Sequence, residues 1–159
     1  MRGRSGLVVG RFQPLHLGHV FLIETAFCEN DEVVICIGSA QKADPLSIEE
    51  RRERIVEKLD SLGYDMRLYR IVGLNDIGSD EKWPAHLKEG CGITDEMENT
   101  FYTSEDLLED YAKAMKDLGF QIKTVVRGSF NYEAPDGRYY TVSSATEIRG
   151  IHKRLGLEV

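Results

Sequence analysis

The chain has 159 residues, 42% of them hydrophobic and 30% charged, which predicts one soluble domain over residues 1–159 with a proper core. Its net charge of −7 argues against nucleic acid, which favours a basic footprint, but leaves room for a small anion at a locally positive cleft. Cys28, Cys36 and Cys91 are odd in number and widely spaced, against a disulfide framework or a zinc site. No stretch is long and apolar enough to span a bilayer, and no apolar signal core follows residues 1–6, so a cytoplasmic protein with reduced thiols is expected.

Strand and helix signals alternate along the chain. The run Leu7-Val8-Val9 predicts a short buried strand over 7–10. A helix is predicted over 18–28, with Val20, Ile23 and Phe27 on one face. The unbroken run Val33-Val34-Ile35-Cys36-Ile37 suits a central parallel strand, ended by Gly38-Ser39-Ala40-Gln41. The clearest helix covers 47–62: Ser47 and Glu50 form a capping box, and Gly63 is a stop signal. Its Ile48, Ile55, Leu59 and Leu62 are expected to pack, with Arg51, Arg52 and Glu53 in water. Residues 66–72 alternate like a strand, and 83–88 suggest a short helix inside a polar, glycine-containing stretch, 80–97, that reads as a mobile flap. A strand over 100–103 leads to a helix over 104–118, with Leu107, Leu108, Tyr111, Met115 and Leu118 inward and Gly119 ending it. Residues 120–127 read as a strand, 129–140 as a loop turning at Pro135-Asp136-Gly137, and 143–155 as a final helix.

This β-α-β-α order predicts an α/β fold, a doubly wound parallel sheet with helices on both faces. Ligands in such sheets bind beyond the carboxyl ends of the strands, where strand order reverses. The strand ends after Val9, Ile37, Val72 and Thr103 are expected to meet at one crevice.

One turn stands at the first such end: Gly10-Arg11-Phe12-Gln13-Pro14-Leu15-His16-Leu17-Gly18-His19. A helix start carries unsatisfied N–H groups and a positive dipole end, so it favours an anion. His16 and His19 lie three apart, hence on one helical face. They read as a capping pair, as metal ligands, or as two N–H donors aimed at phosphate oxygens. A metal needs more ligands, and only His86 and His152 remain among the histidines. Gly10, Arg11, Gln13, Pro14 and Gly18 around the pair favour the phosphate reading, and the turn is read as holding a triphosphate. A second constellation, Ser143-Ser144-Ala145-Thr146-Glu147-Ile148-Arg149, opens the last helix. Ser143 or Ser144 caps it, and Arg149 adds a fork of donors suited to phosphate. Trp83, the one tryptophan, reads either as a partly buried core ring or as a face for a cationic ring.

Together the two constellations, G-R-F-Q-P-x-H-x-G-H and S-x-T-E-I-R, resemble the nucleotidylyltransferase superfamily, and within it the archaeal-type nicotinamide mononucleotide adenylyltransferases. Ile37-Gly38-Ser39-Ala40-Gln41, the Pro45, Ser47, Glu50-Arg51 stretch, and Asn75-Asp76-Ile77 followed by Trp83 are similar to that family in order. The stretch 129–140 is longer than the family's link into its last helix. The resemblance implies a Rossmann-like sheet and the reaction of ATP with nicotinamide mononucleotide to give NAD and pyrophosphate. It implies phosphate contacts and catalysis by His16, His19, Arg11 and Arg149, and an ATP site of Gly10, Arg11, Phe12, Gln13, His16, Gly18, His19, Ser144, Thr146 and Arg149. It assigns Ser39, Gln41, Asn75, Asp76 and Trp83 to the second substrate, Mg²⁺ to the nucleotide phosphates with no metal-ligating side chain, and a homo-oligomer, a hexamer among relatives. The alternatives are another acceptor on the same scaffold (phosphopantetheine, a flavin precursor or a polyol phosphate) or a non-catalytic nucleotide sensor. His16, His19 and Arg149 speak against a sensor, which has no need of transition-state donors.

Overall fold

The structure, a computed structural model, describes residues 2–125, 130–142 and 145–156. Among these, strands β1 (Arg4–Gly10), β2 (Glu32–Ile37), β3 (Tyr69–Gly73), β4 (Glu98–Thr103) and β5 (Phe120–Thr124) form a parallel sheet in the order β3-β2-β1-β4-β5. Helices α1 (Leu17–Glu29), α2 (Ile48–Ser61), α3 (Trp83–Gly90) and α4 (Glu109–Asp117) alternate with the strands. The expected doubly wound α/β fold is therefore present, and order reverses between β1 and β4.

Alternation along the strands explains the two-sided core. Val8, Val33, Ile35 and Ile37 face one way, onto Leu22, Ile23 and Ala26 of α1 and Ile55 and Leu59 of α2. Leu7, Val34, Cys36 and Phe101 face the other way, onto Leu87 of α3 and Met115 of α4. In a parallel sheet covered on both faces the inner strands read as continuous apolar runs, as the stretch 33–37 does. Cys36 and Cys91 are free and buried, and the hydrogen bond that Cys36 donates to Cys91, together with burial, pushes the Cys36 thiol up.

Local signals set most element ends. Ser47 caps α2, its hydroxyl accepting from Glu50 N at 3.2 Å while Glu50 reaches back to Ser47 N. Gly63 then adopts φ 87°, a left-handed conformation that stops the helix.

Several expectations are corrected. Arg51 is wholly buried rather than wet, and Leu62 is exposed rather than packed. Residues 66–68 form a 3₁₀ turn, because the Asp65 carboxylate caps Arg67 N at 2.8 Å, so the strand starts only at Tyr69. The stretch 80–97 is no flap: α3 buries Pro84 and Leu87, and Cys91 and Ile93 join the core behind it. The helix expected from residue 104 starts at Glu109, since Thr103 Oγ1 binds both N and O of Glu105 and holds a turn there. Leu108 is consequently 83% exposed instead of inward.

The expected loop 129–140 is instead a β-hairpin. Strands β6 (Phe130–Glu133) and β7 (Tyr139–Val142) pair antiparallel around a turn in which Gly137 has φ 80°. Helix α5 (Ala145–Arg154) follows, and Ala134 of the hairpin's turn packs with Ile148 and Ile151. Buried His152 lies on the Tyr132 hydroxyl, Nε2 to O at 2.7 Å. Of the strand expected over 120–127 and the helix expected from 143, residues 126, 127, 143 and 144 lie outside the described residues.

Candidate active site

The ends of β1, β2 and β3 are tied edge to edge. Gly38 N donates to Gly10 O at 2.9 Å, Leu74 N to Ile37 O at 2.9 Å, and Ala40 N to Leu74 O at 2.9 Å. Three segments of the predicted site, the β1–α1 turn, residues 38–42 and residues 74–76, are thereby brought to one rim of the sheet.

The β1–α1 turn is shaped by Phe12, whose φ is 53° and whose ring is buried under it. A Cβ on Gly10 would meet that ring at 3.2 Å, a tight contact that the ring would have to relieve by shifting a few tenths of an ångström. The Phe12 ring is part of the core. Gly18 is buried in the first turn of α1, where the helix sits against the sheet.

His16 is the N-cap of α1, and it forms a reciprocal cap with His19. His16 Nδ1 accepts from His19 N at 3.3 Å, and His19 Nδ1 accepts from His16 N at 3.3 Å. A neutral imidazole that accepts at Nδ1 carries its proton on Nε2. The reciprocal cap therefore goes with the tautomer of each ring that is protonated at Nε2. The rings stack at 3.7 Å and 19°, and Phe12 lies 4.7 Å from the His19 ring. Of the readings set out for the pair, capping is the one the geometry displays. Imidazoles gathered at a helix start are a setting that suits an anion.

Beneath the turn lies the residue that sequence reasoning missed. Arg51, from the first turn of α2, donates to Ser47 O (3.3 Å), Arg11 O (3.2 Å), Gly38 O (3.0 Å), Ser39 O (3.1 Å) and Lys42 O (2.9 Å). Its guanidinium is pulled below the usual range by burial, yet stays charged, as arginine does in proteins. Gln13 is also buried, and with its amide turned to suit both neighbours it donates to Asp44 O at 3.0 Å and accepts from Arg51 Nη1 at 3.3 Å. The signal was present: Arg51 lies on the helical stripe of Ile48, Ile55 and Leu59, spaced by three, seven and eleven from Ile48.

Asp76 is the centre of a second cluster. The buried Ser39 hydroxyl donates to its two oxygens at 3.0 and 2.9 Å, and Gln41 Nε2 donates at 3.1 Å. Gln41 Oε1 accepts from Asp76 N at 3.1 Å, closing the ring of contacts. The Ser39 hydrogen bond, ahead of that from Gln41, holds the Asp76 carboxyl below its ordinary value, with smaller help from the charges of Lys42 and Arg11. Ser39 therefore supports Asp76 from underneath. Exposed Asn75 and Asp76 and half-buried Trp83 stand at the same end of the sheet, and Asp76 and Trp83 line one pocket of about 310 Å³. Arg11 is exposed beside this cluster. Thr146 and Arg149 fall in α5, but their side chains, like all of Ser144, lie outside the described residues.

Among the described residues, no group of three or more His, Cys, Asp or Glu side chains is placed to hold a metal ion, and no helix is long and apolar enough to cross a membrane.

A cytidylyltransferase-like family model matches residues 7–151. The chain is 32% identical over 150 residues to a nicotinamide-nucleotide adenylyltransferase of Thermococcus onnurineus, covering 92% of this chain and 71% of that protein. It is 34% identical over 148 residues to one of Pyrococcus horikoshii, covering 91% and 70%. Among solved structures it resembles a bifunctional NMN adenylyltransferase/ADP ribose pyrophosphatase from Francisella tularensis, complexed with AMP and a manganese ion, at a TM-score of 0.72 and 23% identity. That match takes in 96% of this chain but 42% of the bifunctional one, and it shows a shared fold. With a family model along most of its length and relatives above 30% identity, the chain belongs to the cytidylyltransferase-like family and, within it, to the nicotinamide-nucleotide adenylyltransferases.

Proposed function

We propose that this chain joins ATP and nicotinamide mononucleotide to give NAD and pyrophosphate. The observation that carries this reading is the reciprocally capped His16–His19 pair, held at the start of α1 beyond the first strand end of a doubly wound sheet. An oxygen of the mononucleotide phosphate attacks the α-phosphorus of ATP, and the bond from that phosphorus to the bridging oxygen of the β-phosphate breaks. The attacking phosphate has a second pKa of about 6, so at neutral pH it is mostly dianionic and needs no general base. What remains is to bring two anions together in line and to stabilise the departing pyrophosphate.

His19 is assigned to the reacting phosphorus and His16 to the phosphate beside it. Arg11 and Arg149 take the outer phosphates, with Thr146, Ser144 and the amides at the start of α5 as further donors. The backbone of Gly10, Phe12, Gln13 and Gly18 shapes the turn against the nucleotide. Trp83 stacks on the nicotinamide ring, and Asn75 and Asp76 meet the carboxamide, with Ser39 and Gln41 holding Asp76. ATP enters as its Mg²⁺ complex, the ion held by phosphate oxygens and water, as Mg²⁺ prefers. The reaction is placed in the cytoplasm, with the protein as a homo-oligomer, a hexamer being the form to test by light scattering.

The test is a coupled pyrophosphate-release assay with ATP or CTP against nicotinamide mononucleotide, phosphopantetheine, flavin mononucleotide and a polyol phosphate. Release with ATP and nicotinamide mononucleotide alone is expected. Release with another acceptor in its place overturns the assignment, and no release with any overturns catalysis.

A further inference from the structure

The apolar side of α5 is seated on the β6–β7 hairpin. Ile148 and Ile151 pack with Tyr132, Ala134 and Tyr140, in a cluster separate from the two that flank the sheet. The seat is itself held in shape. Ala134 N donates to Arg138 O at 2.9 Å, and the Asp136 carboxylate accepts from Arg138 N at 3.0 Å and from the Tyr140 hydroxyl at 3.1 Å.

One polar contact lies inside this small core. His152, buried on α5 beside Ile148 and Ile151, meets the Tyr132 hydroxyl through Nε2 at 2.7 Å, with the two rings at 16°. Its Nδ1 is buried with no partner among the described residues. Burial pushes the Tyr132 hydroxyl up, against the charge of Arg54, so the phenol stays protonated at neutral pH.

Such a pair is a poor way to gain stability and a good way to fix geometry. Replacing both partners of a buried hydrogen bond by apolar groups of similar shape is close to neutral, and here it would also remove an unmet nitrogen. Apolar packing is non-directional and lets a helix roll, whereas a hydrogen bond weakens steeply with angle. Arg149 stands three residues before His152, about 60° around the helix and about 4.5 Å along it. A roll of about 20° carries a group about 6 Å from the axis through about 2 Å. A misplacement of about 1 Å costs about a hundredfold in rate where it disturbs the reacting geometry.

On the adenylyl-transfer reading above, in which Arg149 takes the outer phosphates of ATP, we propose that Tyr132 and His152 are positioning residues for Arg149: their hydrogen bond sets the roll of α5 on the hairpin and so aims the guanidinium at those phosphates.

The experiment compares the full chain with Tyr132→Phe, His152→Gln, His152→Leu, Arg149→Ala and the combination Tyr132→Phe/Arg149→Ala. It measures kcat and the KM of each substrate, with urea unfolding of every variant. Tyr132→Phe should stay folded, lower kcat/KM for ATP about tenfold or more, and leave KM for the mononucleotide within about twofold of the parent. His152→Gln, whose amide reaches the place of Nε2, should retain most of the activity that His152→Leu loses. In the Arg149→Ala background the Tyr132→Phe step should add less than about twofold, because the side chain it aims is gone. Parent-like kinetics in Tyr132→Phe, no difference between His152→Gln and His152→Leu, an equal rise in both KM values, or an effect that persists in full without Arg149 overturns the proposal. So does unfolding of Tyr132→Phe, which would make the bond a prop for the fold. Parent-like kinetics in Arg149→Ala overturns the role given to Arg149, and the proposal with it. No turnover by the parent chain is a different result: it overturns the adenylyl-transfer reading, and this proposal falls with it.

Discussion

Replacing Arg51 should loosen three segments at once. The side chain is wholly buried and donates to the carbonyls of Ser47, Arg11, Gly38, Ser39 and Lys42. A hydrogen bond from a charged donor contributes roughly 1.5–3 kcal/mol, but five bonds from one group are far from additive. Breaking a buried charged contact by removing one partner costs about 3–5 kcal/mol, because the other groups stay buried and unmet. We therefore expect Arg51→Ala to lose about 4 kcal/mol, a large part of a typical stability of about 5–15 kcal/mol. For a chain of this length that lowers Tm by about 10 °C. Arg51→Lys keeps the charge but has only three donors in place of a planar fork, so it should lose about half as much. Urea unfolding followed by far-ultraviolet circular dichroism measures both. Kinetics at a temperature where the variants remain folded should show a raised KM for both substrates, since the fork ties the β1–α1 turn to residues 38–42. An Arg51→Ala protein within about 1 kcal/mol of the parent, or a lysine variant equal to it, would refute the reasoning.

His19→Ala should lower kcat about a hundredfold or more, the scale of losing one preorganised donor, and stopped pyrophosphate assays check it. The same change breaks the reciprocal cap and should cost about 1 kcal/mol of stability, so near-normal turnover in a slightly less stable protein would separate capping from catalysis. Trp83→Ala should raise KM for the mononucleotide more than for ATP; equal effects on both would remove the stacking role. Ser39→Ala removes the first contact holding down the Asp76 carboxyl. Because that carboxyl is held low in the folded state, its contribution to stability is present above the ordinary carboxylate range near ~4 and fades as pH falls through the lowered folded value. Carbon-13 NMR titration should show the Asp76 midpoint moving up in Ser39→Ala, and an unmoved midpoint would mean that Ser39 does not set it.

What could be read from the chain alone follows from the range of the interactions involved. The Ser47–Glu50 box, the stop at Gly63, the apolar run 33–37 and the β1–α1 turn are written in neighbouring residues, and each appears where expected. Arg51 was misjudged because its burial depends on carbonyls contributed by residues 11, 38, 39 and 42. The hairpin over 130–142 was taken for a loop although the Pro135-Asp136-Gly137 turn was recognised, because four-residue strands carry too little alternation to announce themselves. Leu108 failed for a smaller reason, the Thr103 hydroxyl holding Glu105 in a turn that delays α4. In the site, the histidine pair was visible as a motif, while the reciprocal bonds that cap the helix need coordinates.

The placement of β1 has a bearing on how the chain is made. One neighbour, β2, begins at Glu32, but the other, β4, begins only at Glu98. Until the ribosome has delivered that strand, the Leu7-Val8-Val9 segment presents an unmatched row of amides and carbonyls to whatever other chains are near. A nascent or clipped product ending before Glu98 should therefore be sticky rather than merely inactive, and should pellet or engage chaperones where the longer product does not.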